Sequence, residues 1–182
     1  MAERGKVVIL DRDGTIVIDR GYLDNAAGLE FLPGAAAGLH ALYSQGNRLV
    51  VITNQSGVGR GLFPIDRVYA MNARLNQMIE EAGARLAGIY FCPHTPDESC
   101  DCRKPNLGLM TLAAAELNFD PAESVVIGDK DSDIEFGRRA GAKTILIARP
   151  PAAVGRITAD AVVPNLIEAA RKIADLRRDA LG

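Results

Sequence analysis

Five short apolar runs, KVVIL, RLVVIT, GIYFC, SVVIG and KTILIA, recur along the chain, each followed by a loop or a longer segment with helical spacing of its apolar residues. A strand wetted on one side alternates apolar and polar residues, so runs that are apolar throughout call for burial on both faces. Helices between the runs provide both covers and the crossovers that parallel neighbours require. The expected fold is therefore α/β, a Rossmann-like open and mainly parallel sheet with helices on both faces.

The helices carry recognisable ends. Pro33-Gly34 begins one that closes near Gly46, and Pro64 begins another that sets Ile65, Val68, Leu75, Met78, Ile79 and Ala82 on one face before Gly83. A third is expected from about Leu107 to Asn118 and a fourth from Asp131 to Ala140. The last, after Pro164, carries Leu166, Ile167, Ala170 and Ile173. These stripes read as core packing, and His40, among Leu39, Ala41 and Leu42, reads as a packed or surface histidine. The 182 residues suit a single domain over 1–182. Between Thr15 and Thr53 there is room for a short flap and one helix, so no separate cap domain is expected.

A formal net charge of -2 and the absence of tryptophan leave no global basic field for gripping nucleic acid. No apolar stretch is long enough for a membrane span. The opening MAERGKVV lacks the apolar core of a signal peptide, which points to the cytoplasm. No heptad seam is present, and a monomer is the default.

The first run ends in VVILDRDGT, two aspartates set around an arginine. A turn alone needs only Asp13-Gly14. In open sheets ligands gather at the carboxyl ends of strands, where Asp11 and Asp13, Thr53 and Asn54, and Gly128 and Asp129 fall. Paired carboxylates in a crevice repel and lose hydration unless a cation neutralises them. A Mg²⁺ site made of Asp11, Asp13 and Asp129 meets that need. Asp131 and Asp133 serve either as an outer shell or as caps of the following helix. With the ion in place, Asp11 can attack phosphorus to form an aspartyl-phosphate, while Asp13 protonates the leaving oxygen and later activates water. Thr53 supplies a hydroxyl, and Lys104, stiffened by Pro105, a point charge for the phosphoryl oxygens.

All three cysteines and one of the two histidines fall within YFCPHTPDESCDCRKP. Cys92, His94, Cys100 and Cys102 make the Cys₃His donor set of a closed tetrahedral Zn²⁺ site, a support for the adjoining Arg103 and Lys104 without a part in the chemistry.

Together DRDGT, TNQSG, RKP and GDKDSD, in this order after expected strands, resemble the haloacid-dehalogenase (HAD) superfamily of aspartate-nucleophile phosphohydrolases over roughly residues 6–148. The resemblance implies Asp11 as nucleophile, Asp13 as general acid/base, Thr53 and Lys104 as phosphoryl clamps, and Asp129 as the remaining magnesium ligand. With the zinc loop, the set is similar to the subgroup of heptose-bisphosphate and histidinol-phosphate phosphatases. IDRGYLDN and NQSGVGRG look like the heptose enzymes. That likeness implies hydrolysis of the 7-phosphate of a heptose 1,7-bisphosphate, a step towards lipopolysaccharide heptose. It also implies substrate contacts from Asp19, Gly21, Tyr22, Asn54, Gln55, Ser56, Arg103 and Lys130, to which the chemistry of a second phosphate adds Arg60. Histidinol phosphate, which would favour outer acids such as Asp19 and Asp24, stands as the alternative substrate. A phosphosugar mutase and an inactive zinc-stabilised binding module are the alternatives of other classes.

Overall fold

The computed structural model describes residues 5–148 and 158–179. Strands β1 (Val7–Leu10), β2 (Arg48–Asn54), β3 (Leu86–Cys92), β4 (Val125–Gly128), β5 (Lys143–Ile147) and β6 (Ala161–Val163) form one sheet in the order β3-β2-β1-β4-β5-β6. Every pairing is parallel. The five apolar runs are all strands. β6 is an addition that sequence reading missed: its three residues lie at the sheet edge and are defined by pairing, Ile145 with Ala161 and Ile147 with Val163.

The helices are α1 (Ala35–Ser44), α2 (Ile65–Glu81), α3 (Gly108–Leu117), α4 (Asp131–Arg139) and α5 (Leu166–Asp179). β1 shows why its run is unbroken. Val8 and Leu10 join Leu39 and Leu42 of α1, Val68, Met71 and Leu75 of α2, and Ala170 and Ile173 of α5. Val7 and Ile9 point the other way, into a cluster with Leu109, Met110 and Ala113 of α3 and Phe136 of α4. Alternation is present in direction and hidden in composition, because both faces are covered. The expected stripe of α2 needs one correction. Ile65 is 38% exposed at the helix start, while Met71 and Asn72 belong to the buried face.

The chain runs outward from β1 to β3 and then returns to lay β4 on the other side of β1. That reversal opens a crevice at the carboxyl ends of β1 and β4, the usual ligand position in such sheets. Residues 16–32 form a short flap beside it. Ile18 N–H donates to Glu30 O at 2.9 Å and Leu32 N–H to Ile16 O at 3.0 Å, with Leu23 and Ala26 resting on the core. Among the described residues no helix is long and apolar enough to cross a membrane. Met1 to Arg4, part of the stretch behind the cytoplasmic reading, lie outside the described residues.

Candidate active site

Asp11 is the first residue beyond β1, and its N–H continues the ladder to Ile127 O of β4 at 3.0 Å. The carboxylate is thereby delivered into the crevice, where the residue is 7% exposed. Lys104 Nζ meets Asp11 Oδ1 at 2.5 Å and Asp133 Oδ1 at 2.7 Å, and donates to Ile52 O at 2.7 Å. Its backbone is clamped by one side chain: Lys104 N–H donates to Asn54 Oδ1 at 3.0 Å and Asn54 Nδ2 to Lys104 O at 3.2 Å. Asn54, expected to touch substrate, thus holds the lysine in place with both ends of its amide.

Asp133 resolves an open choice. Its Oδ2 accepts the Lys130 N–H at 3.1 Å, capping α4, while Oδ1 faces Lys104. It is both cap and site residue. The carboxylates that converge are Asp11, Asp129 and Asp133, with ligand atoms within 4.8 Å of one another. Asp13, expected among the magnesium carboxylates, has its side chain outside this cluster. The chain has turned by then, so neighbours two apart in sequence aim their carboxylates at different partners. Arg12 Nε and Gln55 Nε2 donate to Asp13 Oδ2 at 3.0 and 2.7 Å. Gln55 Nε2 also donates to Thr53 Oγ1 at 2.9 Å, leaving the Thr53 hydroxyl hydrogen for another acceptor.

Burial pushes the Asp11 carboxyl up to about 7; Lys104 opposes the shift and Asp133 adds to it. Burial likewise raises Asp129 to about 6, against Lys130 and with Asp133. For Lys104 burial works against the charge, but Asp11 and Asp133 outweigh it and hold its pKa above the ordinary lysine value. The buried Asp11 and Asp133 and the half-buried Asp129 gather around one buried ammonium, a deficit of positive charge that a hard divalent ion held by carboxylate oxygens would fill. The backbone makes room for this grouping. A Cβ at Gly14 would lie 2.2 Å from Asp129 Oδ2, so only glycine lets the loop after β1 close on Asp129.

The pocket is lined by Asp11, Asp13, Thr53, Asn54, Lys104, Lys130, Ser132 and Asp133. Ser132 was not anticipated, being an ordinary helix-start residue in sequence. At the rim, Lys130 Nζ pairs with Asp19 Oδ2 at 3.0 Å, and Asp19 Oδ1 accepts the Gly21 N–H at 2.9 Å. Burial opposes charge on Asp19, but the Gly21 and Lys130 contacts outweigh it and hold its carboxyl below the usual range. Tyr22 is exposed on the flap, and the Arg60 guanidinium lies 5.8 Å from its ring centroid. Ser56 lies in the same loop as Arg60, whose N–H donates to Ser56 O at 3.0 Å.

Cys92, His94, Cys100 and Cys102 come together beside this site. Sγ of Cys92 and Cys102 are 3.1 Å apart, Cys102 and Cys100 3.6 Å, and Cys92 and Cys100 3.7 Å. His94 Nδ1 stands 3.2 Å from Cys102 Sγ and 3.5 Å from Cys92 Sγ. A tetrahedron with metal–sulfur bonds of about 2.3 Å has edges of about 3.7 Å, so the four donors fit one thiophilic ion with little adjustment. Arg103 Nη1 donates to His94 O at 3.2 Å, and Gln55 N–H to Cys92 O at 2.7 Å. The cysteine loop is therefore tied to the segments that carry Lys104 and Gln55.

A family model described as HAD-hydrolase-like matches residues 101–169. The chain is 38% identical over 173 residues to the D-glycero-beta-D-manno-heptose-1,7-bisphosphate 7-phosphatase of Haemophilus ducreyi, covering 90% of this chain and 95% of the relative. It is 35% identical over 183 residues to the enzyme of the same name from Yersinia pestis, covering 95% and 97%. In three dimensions it is similar to a D,D-heptose 1,7-bisphosphate phosphatase from B. bronchiseptica crystallised with magnesium and phosphate. That match has a TM-score of 0.83 at 27% identity, covering 94% of this chain and 99% of the other. With the Asp11 loop, the Lys104 segment and the cysteine loop set on a sheet of this order, and with these relatives matched over nearly the whole chain, the chain belongs to the D-glycero-D-manno-heptose-1,7-bisphosphate 7-phosphatase family of HAD-like hydrolases.

Proposed function

We propose that this chain hydrolyses the 7-phosphate of D-glycero-D-manno-heptose 1,7-bisphosphate, in the β form named for its relatives from H. ducreyi and Y. pestis. The observation that carries the reading is the buried Asp11 carboxylate at the β1/β4 crevice, in contact with the Lys104 ammonium. An Asp11 oxygen attacks phosphorus as the bond to the C7 oxygen breaks, and Asp13 gives that oxygen a proton. Asp13 then takes a proton from water, which attacks the aspartyl-phosphate, releases phosphate and restores the Asp11 carboxylate. Lys104 and the Thr53 hydroxyl meet the phosphoryl oxygens. A Mg²⁺ held by Asp11 and Asp129, with Asp133 behind them, would neutralise the nucleophile and the phosphate as they approach.

In this reading Lys130, released from Asp19, would meet the second phosphate together with Arg60 and Arg103, and Tyr22, Gly21 and Ser56 would contact the sugar. Histidinol phosphate would ask for uncommitted outer acids; of the two candidates Asp19 is paired with Lys130, which leaves the exposed Asp24 alone. A zinc ion taken up by Cys92, His94, Cys100 and Cys102 would hold the Arg103-Lys104 segment, and thiolate ligands suit a reducing cytoplasm.

The test is kcat/KM for both heptose bisphosphate anomers and histidinol phosphate, with magnesium and after its removal. The β bisphosphate should lead by at least about tenfold, a 1.4 kcal/mol difference, and activity should require magnesium. A clear preference for histidinol phosphate overturns the assignment.

A further inference from the structure

The arginine between the two aspartates is unused by the chemistry above, yet it is among the largest fully buried side chains of the protein, 1% exposed. A buried guanidinium is costly, and an apolar side chain of the same volume would fill the space with less penalty. Its contacts show where it is directed. Nε donates to Asp13 Oδ2 at 3.0 Å, and Nη2, 3.0 Å from that same oxygen, also donates to Oδ1 at 3.3 Å, a side-on grip that sets the plane of the carboxylate. Nη1 donates to Asn72 Oδ1 at 3.3 Å, and Asn72 is itself buried on α2, which packs against the sheet. Gln55 Nε2, also buried, closes on Asp13 Oδ2 at 2.7 Å from the opposite loop. Asp13 keeps 17% of its side chain exposed and lines the pocket, so through it these contacts reach the site.

We propose that Arg12, anchored by Asn72, is a positioning residue that orients the Asp13 carboxylate for proton transfer to the departing oxygen. The proposal rests on the reading of Asp13 as general acid/base. Oδ2 faces Arg12 Nε and Nη2 and Gln55 Nε2, and Oδ1 one longer contact, so Oδ1 is the oxygen with room to hold and deliver a proton. The grip uses the Nε–Nη2 edge of a planar group, while Nη1 ties the same plane to Asn72. Lysine at this position would retain the charge but make a single point contact, leaving the carboxylate free to rotate.

General-acid assistance matters most when the leaving group is poor, and that separates orientation from mere support of the fold. kcat/KM would be measured for p-nitrophenyl phosphate, a good leaving group, and for an alkyl phosphate, a poor one. The enzymes are wild type, Asp13→Asn, Arg12→Met, Arg12→Lys and Asn72→Leu, with folding checked by thermal melting. Asp13→Asn sets the scale, with an expected loss of about 10²–10⁴-fold on the alkyl ester and far less on the aryl ester. Arg12→Met and Arg12→Lys should both lose at least about tenfold more on the alkyl than on the aryl ester, and Asn72→Leu should follow in the same direction. An equal loss on both esters in folded Arg12→Met, or full alkyl activity in Arg12→Lys, overturns the proposal. If Arg12→Met does not fold, Arg12→Lys and Asn72→Leu decide. Should Asp13→Asn itself show no preference between esters, the acid assignment fails and this proposal falls with it. The heptose assignment is judged separately by its substrate panel.

Discussion

At the residue scale, Asp11 is asked to be buried and ionised at once. Its pKa of about 7 in the metal-free site states the conflict. Against an unfolded value of about 3.9, the folded chain binds the extra proton between those two values. That contribution to stability is fully present below the unfolded value and is lost as the pH rises through about 7. Asp11→Asn removes the titration. In magnesium-free buffer the stability of the variant minus that of wild type should therefore rise between pH 5 and pH 8, by about 1 kcal/mol or more. Urea melts across that range check it, and a difference independent of pH contradicts it. The same variant should fold normally and lose turnover by more than about 10⁴-fold, as expected when a nucleophile is removed.

At the scale of elements, Asp11, Thr53, Asn54, Asp129 and Asp133 owe their places to the end of a strand or the start of a helix. Asp133 shows the economy of this. The N3 position of α4 needs an acceptor for the Lys130 N–H, and the same carboxylate reaches Lys104 through its other oxygen. Lys104 depends on Asn54 at the end of β2 and on the cysteine loop that follows β3. Cys100→Ser should reduce zinc from one per chain to well below half, lower the melting temperature and, through the loosened Arg103-Lys104 segment, reduce activity. Metal analysis of the purified variant is the check; full zinc occupancy removes Cys100 from the ligand set. In sequence the four donors stood out by their crowding, because thiols and an imidazole so close together have few other joint uses. The bonds from Asn54 to Lys104 did not stand out, since an asparagine at a strand end serves many purposes and its partner lies fifty residues away.

At the scale of the molecule, the parallel order carries β4 back beside β1 and sets Asp129 and Asp133 against Asp11. An ion bound there joins β1, the β4 loop and α4, and it binds the folded state alone. Magnesium should therefore raise the melting temperature saturably, with about 2.7 kcal/mol of stabilisation at a hundred times its Kd. Asp129→Asn should lose most of that shift, and an undiminished shift in the variant would place the ion elsewhere. What the sequence by itself determined was local: five strands buried on both faces, the helix punctuation, and which side chains crowd into the Asp11 loop, the Lys104 segment and the cysteine loop. β6 escaped because three residues at an edge carry no pattern of their own. Only the tertiary structure decided that Asp133 joins the acids while Asp13 turns away to Arg12, and that Arg12 is buried at all. Side-chain type and spacing along a strand are local consequences of burial, whereas convergence of carboxylates depends on which strands become neighbours, and that is settled by long-range pairing.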